Sequence, residues 1–369
     1  MKKQILSTSA IALGVAMAAP ASAQEWDMDW GGFFNTHVGI VDVSGNGIAA
    51  GSDFDGVNIF MNREIIFSPS VTLDNGLTFG VNIQMEGDNG SAPSADIDET
   101  YMTISSDTLG RIILGNENSA GYLSMVAAPQ VGSMPINSLS ITGFLPLNHP
   151  NNFRRAGISS YTEVQGNNDV SRITYFTPSF NGLTLGVSYA PSGNVNAANS
   201  GPVNFNGAGL RDIFDIGISY SQSFNGVDLD LGARWGTAEA RAIANGPTTD
   251  PETFGIGGSI SVSGFTFGIG YAENDADGVG GAGDEEGLSV GVAYDIAGPW
   301  TVGLEGYFGE YDNGPNINEG EYTAYKLAAS RSLGAGVSWD VYYVYAESEN
   351  VGGAEVEGNV LATAINLSF

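Results

Sequence analysis

Residues 77–86 read Leu-Thr-Phe-Gly-Val-Asn-Ile-Gln-Met-Glu and follow directly on Asp74-Asn75-Gly76. Leu77, Phe79, Val81, Ile83 and Met85 fall on one side of an extended chain, and Thr78, Gly80, Asn82, Gln84 and Glu86 on the other. Successive side chains of a strand point to opposite faces, so the run has one apolar and one polar face. An Asn-Gly pair tolerates positive φ, and the preceding turn therefore predicts a hairpin. One face suits lipid, the other water.

The pattern recurs in both directions. Upstream, strands are expected over about 28–44 and 57–73, and downstream over about 97–106 and 110–115. Beyond a long interruption come strands at about 169–177, 183–190, 213–224, 227–235, 254–262, 265–271, 288–296, 300–308, 322–332, 337–346 and 359–369. Asn181-Gly182, Asn225-Gly226, Ser263-Gly264, Gly298-Pro299 and Leu333-Gly334 supply tight turns between pairs of them. Together they make about sixteen strands. Strand lengths near the ~9–11 residues that cross a bilayer at a tilt, and connections alternating between short turns and longer polar loops, favour a transmembrane antiparallel β-barrel over a soluble sandwich. Tyr189, Tyr220, Trp235, Tyr271, Tyr294, Trp300 and Phe308 sit where apolar faces end and are expected to form interfacial girdles. In lipid an open edge would strand unpaired amide and carbonyl groups, so the sheet must close.

Composition excludes most other classes. Only 14% of the 369 residues are charged, against roughly a quarter in ordinary soluble domains. The net charge of −29, from 41 acidic and 12 basic side chains, argues against nucleic acid as a partner. No cysteine is present, which removes disulfides and thiolate metal sites. Lys2 and Lys3, the apolar stretch 11–19 and Ala21-Ser22-Ala23 predict a secretory signal peptide over 1–23, with an N-terminal anchor as the alternative. The barrel is then expected over 24–369.

The interruption, Asn116 to Asn168, is far longer than the ~12–15 residues beyond which structureless loops become uncommon. A wall of about sixteen strands encloses an aqueous lumen that side chains alone do not fill. The loop is expected to fold into it, with Met125, Val126, Ala127 and Leu145 packing against the wall and Glu117, His149, Arg154, Arg155 and Glu163 supplying charge. Parity places Arg111, Arg172, Arg234 and Lys326 on the lumen side of the wall, with barrel rims as the alternative; Arg63 is left ambiguous by Glu64 and the Ile65-Ile66 pair. Glu86, Glu99, Asp215, Asp228, Asp230 and Glu305 are expected inward too, and with ten cations in the chain after the signal peptide (12 minus Lys2 and Lys3) the lumen should prefer cations.

The stretches 70–80 (Ser-Val-Thr-Leu-Asp-Asn-Gly-Leu-Thr-Phe-Gly), 109–115 (Leu-Gly-Arg-Ile-Ile-Leu-Gly) and 172–189, from Arg172-Ile173-Thr174 to Val187-Ser188-Tyr189, resemble the general diffusion porins of Gram-negative bacteria, above all the alphaproteobacterial, Rhodobacter-like type. Phe369 resembles the C-terminal aromatic that this family presents to the barrel assembly machinery. The resemblance implies a sixteen-stranded homotrimer in outer-membrane lipid and lipopolysaccharide, a third loop folded into the lumen, and passive diffusion of ions and small hydrophilic solutes. A substrate-selective channel and a secreted adhesive β protein are the alternatives. No cofactor is expected. Asp275, Asp277, Asp284, Glu285 and Glu286 could hold Ca²⁺, although no EF-hand spacing occurs and a solvated loop is the simpler reading. His37 and His149 are the chain's two histidines, neither lies in a hydrolase motif, and no enzymatic activity is expected.

Overall fold

The computed structural model describes residues 25–87, 97–147, 163–196, 201–205, 207–241, 250–276, 283–311, 320–350 and 352–369. The predicted signal peptide lies outside them. So do His149, Arg154 and Arg155 of the long loop and Asp277 of the acidic loop.

Strands β1 (Trp30–Ser44), β2 (Gly56–Phe67), β3 (Ser70–Thr72), β4 (Thr78–Glu86), β5 (Ile97–Ser106) and β6 (Gly110–Asn116) precede the long loop. After it come β7 (Ser171–Phe176), β8 (Leu183–Ser192), β9 (Gly209–Phe224), β10 (Val227–Arg241), β11 (Glu252–Val262) and β12 (Phe265–Asp275). The last five are β13 (Glu285–Asp295), β14 (Trp300–Tyr311), β15 (Gly320–Gly334), β16 (Val337–Glu349) and β17 (Glu355–Ser368). Each pairs antiparallel with its sequence neighbours, and β17 returns to β1 from Phe33↔Ser368 to Ser44↔Glu357, closing the ring. β2 and β3 are one wall strand interrupted at Ser68-Pro69, since both pair with β4. Proline has no N–H for the ladder. The wall is thus a closed antiparallel barrel of sixteen strands.

The hairpins follow the turn chemistry. Asn181-Gly182, Asn225-Gly226 and Ser263-Gly264 each place two successive residues at positive φ. Two such residues in a row make the tight turn whose twist matches that of the flanking strands.

Alternation holds along the wall. Val38, Ile40, Val57, Ile59, Ile173, Leu185, Ile256, Ile269, Leu304, Leu327 and Leu361 are exposed on the outside, while residues of opposite parity such as His37, Val41, Arg172, Arg234, Glu305 and Lys326 are buried within. An outward apolar band and a closed ring are what a bilayer requires. No described helix is long and apolar enough to cross a membrane.

Two features break the symmetry of the ring. Strands β4 to β8 have 9, 10, 7, 6 and 10 residues, whereas β9 to β17 have 11 to 16. The wall therefore has a low side. On the tall side a row of glutamates runs along the rim opposite the tight turns: Glu273↔Glu286, Glu286↔Glu310, Glu310↔Glu321, Glu321↔Glu349 and Glu349↔Glu355 are all direct cross-strand partners.

Candidate functional site

The first limb of the long loop, 117–147, lines the inside of the barrel. It opens with a single helical turn, α1 (Ala120–Leu123), whose N-cap Ser119 accepts a hydrogen bond from the Tyr122 amide at 3.1 Å. From there the chain crosses the inner face of one strand after another. Glycines on that face let its backbone come close. A Cβ on Gly217 would lie 2.3 Å from the Ala120 carbonyl oxygen, on Gly232 2.4 Å from that of Ser124, and on Gly257 1.8 Å from that of Val126. Further on, one on Gly270 would meet Ala127 at 3.0 Å and one on Gly303 would meet Val131 at 2.5 Å. Gly232, Gly257 and Gly270 are direct cross-strand partners and form a smooth track over β10, β11 and β12.

Inward polar side chains of the wall satisfy the loop's backbone. The Ala120 amide donates to Ser188 Oγ at 3.1 Å, the Val131 amide to Glu305 at 2.8 Å and the Ser133 amide to Asp340 at 2.9 Å. Lys326 Nζ donates to the Met134 carbonyl at 2.7 Å, the Tyr322 hydroxyl to that of Ile136, and Asn58 Nδ2 to that of Gly143 at 2.9 Å. A loop buried without such partners would leave costly orphan groups. Between these anchors Val131, Met134, Ile136, Ile141, Phe144, Leu145 and Leu147 join Tyr307, Tyr322, Tyr342, Val344, Val360 and alanines of β15 to β17 in one apolar cluster. His37 sits in it, fully buried between Phe60, Phe144 and Tyr342, with Nδ1 2.9 Å from the Tyr342 hydroxyl.

The sequence expectations divide accordingly. Met125, Ala127 and Leu145 are buried against the wall. Arg172, Arg234, Glu305 and Lys326 lie inside the barrel but in the seam between loop and wall, which differs from the open pore wall expected of them. Lys326 pairs with Glu305 at 2.9 Å, Arg234 with Asp215 at 2.5 Å, and Arg172 with Glu163 of the loop's far end at 3.7 Å. Their exposures are 1–4%. The physical reason is the loop itself, which covers them and exchanges hydrogen bonds with Arg172, Glu305 and Lys326, whereas Arg234 bonds Asp215 of the wall. Glu163 also accepts from the Ser119 amide, so the two ends of the loop are tied together. Glu99 is buried and accepts from Gln84 at 2.6 Å and Asn118 at 2.7 Å; Glu117 is buried and accepts from the Asn118 amide at 2.8 Å.

Arg63 is a correction. Its register partner is Phe34, and it shares parity with exposed Ile59, Met61 and Ile65, so it lies on the outer face. Its guanidinium rests 5.7 Å from the Phe34 ring centroid and donates to the Gly87 carbonyl at 3.3 Å. Glu64, next to it, is the inward residue, directly opposite Glu86. Asp228 and Asp230 share the inward parity of Arg234 nearer the tight-turn mouth, where Asp228 takes a hydrogen bond from Ser223. Arg111 is inward and exposed beside Phe176. Among the described residues, Asp98, Glu99 and Asp169 bring three carboxylates within 4.8 Å of one another. Of the acidic loop named as a Ca²⁺ candidate, Asp275, Asp284, Glu285 and Glu286 line a cavity at the rim.

A closed sixteen-stranded wall, apolar outside, with a long loop seated on its inner face, is the geometry of an outer-membrane channel. Residues 7–353 match the family model for Gram-negative porins. The chain belongs to that family. This porin is an outer-membrane channel protein. No curated protein matches its sequence. Among solved structures it is similar to an anion-selective porin from Comamonas acidovorans, at 16% identity and a TM-score of 0.63, covering 94% of this chain and 100% of that one. The outer-membrane channel DcaP of Acinetobacter baumannii aligns at 12% identity and a TM-score of 0.68, covering 96% and 100%. OmpT of Vibrio cholerae in its trimer form aligns at 12% identity and a TM-score of 0.61, covering 93% and 99%. At such identities the likeness carries the fold, and that of the porin agrees with the closed sixteen-stranded barrel described above.

Proposed function

We propose that this porin is a water-filled channel for passive diffusion of ions and small hydrophilic solutes, that it prefers cations, and that it is not an enzyme. The observation that carries the preference is the fate of three of the four cations expected on the inner wall, Arg111 alone staying exposed there. Arg172, Arg234 and Lys326 are each paired with a carboxylate and buried, so they contribute little field to the open bore. Asp228 and Asp230 keep inward positions closer to the mouth. With 41 acids against 12 bases in the whole chain, the residual lumen charge is negative. Reversal potentials in planar bilayers under a tenfold KCl gradient test this, and the expected sign is that of a K⁺-preferring channel. A Cl⁻-preferring potential would refute it.

The working unit we propose is a homotrimer of the alphaproteobacterial, Rhodobacter-like type. Two observations support a protein neighbour on the low side. A six-residue strand reaches only about 20 Å along its axis, short of the ~25 Å apolar band of such barrels. Arg63 points outward beside that side, where a cation in lipid costs roughly 2–4 kcal/mol at the midplane. Trimerisation covers both. Light scattering of the detergent-solubilised protein is expected to give three chains per particle, and Arg63→Glu to lower that number. Elsewhere outer-membrane lipid and lipopolysaccharide surround the wall. Phe369, whose main chain bonds Gly32 at 3.0 and 3.1 Å while its side chain stays exposed, is presented to the assembly machinery.

A further inference from the structure

We infer that Arg111 and the hydroxyl-lined vestibule around it form a weak recognition site for hydroxylated carboxylates of the sugar-acid kind, a reading that rests on the channel function proposed above. The vestibule is an open cavity of about 870 Å³ at the tight-turn mouth, with Leu123 of the loop in its lining. That is within the size range of small-molecule sites. Thr72, Thr78, Ser105, Thr184 and Ser219 line it with hydroxyl groups, each able to donate and to accept.

Arg111 differs from the other arginines and lysines of the described wall. Arg172, Arg234 and Lys326 are consumed in buried ion pairs, Arg63 faces outward, and Arg241 pairs with Glu239 at 3.0 Å. Arg331 rests over Trp300 at 5.6 Å, and buried Arg211 donates to the Gly207 carbonyl. Arg111 alone is exposed on the inner wall, and among the described residues no carboxylate lies within ion-pair distance of it. The acid on the same lining, Asp107 of the adjacent turn, makes no such pair.

The guanidinium is held 5.1 Å from the Phe176 ring centroid. Stacking of this kind fixes the plane and leaves the N–H edge free to fork onto a carboxylate. Phe176 is in turn held by Ile113 and Ala120 of α1, so the site is built onto the base of the constriction. One cation meets one carboxylate, and a surround of hydroxyls meets the remaining polar groups of a polyol. In a lumen otherwise biased against anions, this vestibule gives such a solute a resting place at the mouth.

The test compares gluconate with glucose, which lacks the charge, and propionate, which lacks the hydroxyl chain. In planar bilayers holding the full trimer, gluconate added on the tight-turn side is expected to interrupt the current with an association constant at least tenfold above either control. Arg111→Gln should lower the gluconate constant about tenfold and leave heat-modifiable gel mobility unchanged. Ser219→Ala should weaken gluconate and spare propionate. Saturation-transfer NMR with gluconate on the detergent-solubilised protein, wild type against Arg111→Gln, reads the same site without needing current. Equal signals from the two proteins, or gluconate no better than propionate, would overturn the inference. A protein that binds gluconate through Arg111 but passes no current would leave the site standing and sink the channel reading.

Discussion

Lys326 shows how much one side chain holds. It is 1% exposed, paired with Glu305 and bonded to the Met134 carbonyl, so it ties wall to wall and wall to loop. Removing one partner of a buried pair strands the other charge, typically at a cost of 3–5 kcal/mol. Lys326→Met is expected to lower the heat-modification temperature and to change single-channel conductance together, because the loop loses an anchor when the wall does. Gly257→Ala tests the track more gently. The added Cβ would sit 1.8 Å from the Val126 carbonyl oxygen and 2.9 Å from that of Ile269 on the neighbouring strand, so the loop must lift there and the sheet must give by a smaller amount. Conductance should shift with the barrel still folded on gels. Parity alone reads Arg172, Arg234 and Lys326 as inward. It could not reveal their partners, because Lys326↔Glu305 and Gly232↔Gly257 become visible only once register is known. Arg63 was blurred because Glu64 beside it is equally polar, and what decides between them is the pairing with Phe34.

At the scale of elements the turns were the most legible part. Asn181-Gly182, Asn225-Gly226 and Ser263-Gly264 sit at tight hairpins with both residues at positive φ, while at Asn75-Gly76 only the glycine is. The break at Ser68-Pro69 was hidden inside an otherwise continuous strand pattern, although a ring without an N–H is its evident cause. The seat of the loop left a signal of another kind. Inward positions of β15 to β17 carry Ala324, Ala328, Ala346, Ala362 and Ala364, small residues where water-facing polar ones are expected, and all are buried under the loop. The glutamate row is an element-scale property as well. Like charges directly opposite on neighbouring strands repel. The screening length falls from about 30 Å at 0.01 M salt to about 3 Å at 1 M, so added salt weakens that repulsion. The unfolding temperature is therefore expected to rise with NaCl over that range, and the double variant Glu286→Gln, Glu310→Gln to flatten the dependence. An unchanged slope would show that the row is already neutralised.

For the whole molecule, length, alternation and turn spacing were enough to expect a closed barrel of about sixteen strands, and family membership agrees. The uneven height of the wall was not expected, since each short strand passed for an ordinary one until it was laid beside its neighbours. It predicts where copies meet. Cysteines placed on the outward side of β5 or β6, for example at Met102, should crosslink between chains, while one at Leu304 on the tall side should not.

The seating of the loop also dictates an order of events. The segment leaves the wall at the end of β6, yet Ser133 is held by Asn366, which lies 233 residues further along the chain. Its seat does not exist until the last hairpins have formed. Contacts this distant in sequence form late and slowly. Residues 131–147 must wait, apolar and uncovered, while the second half of the barrel is laid down, and the joining of β17 to β1 then encloses them. Maturation of the pore should accordingly lag behind completion of its wall.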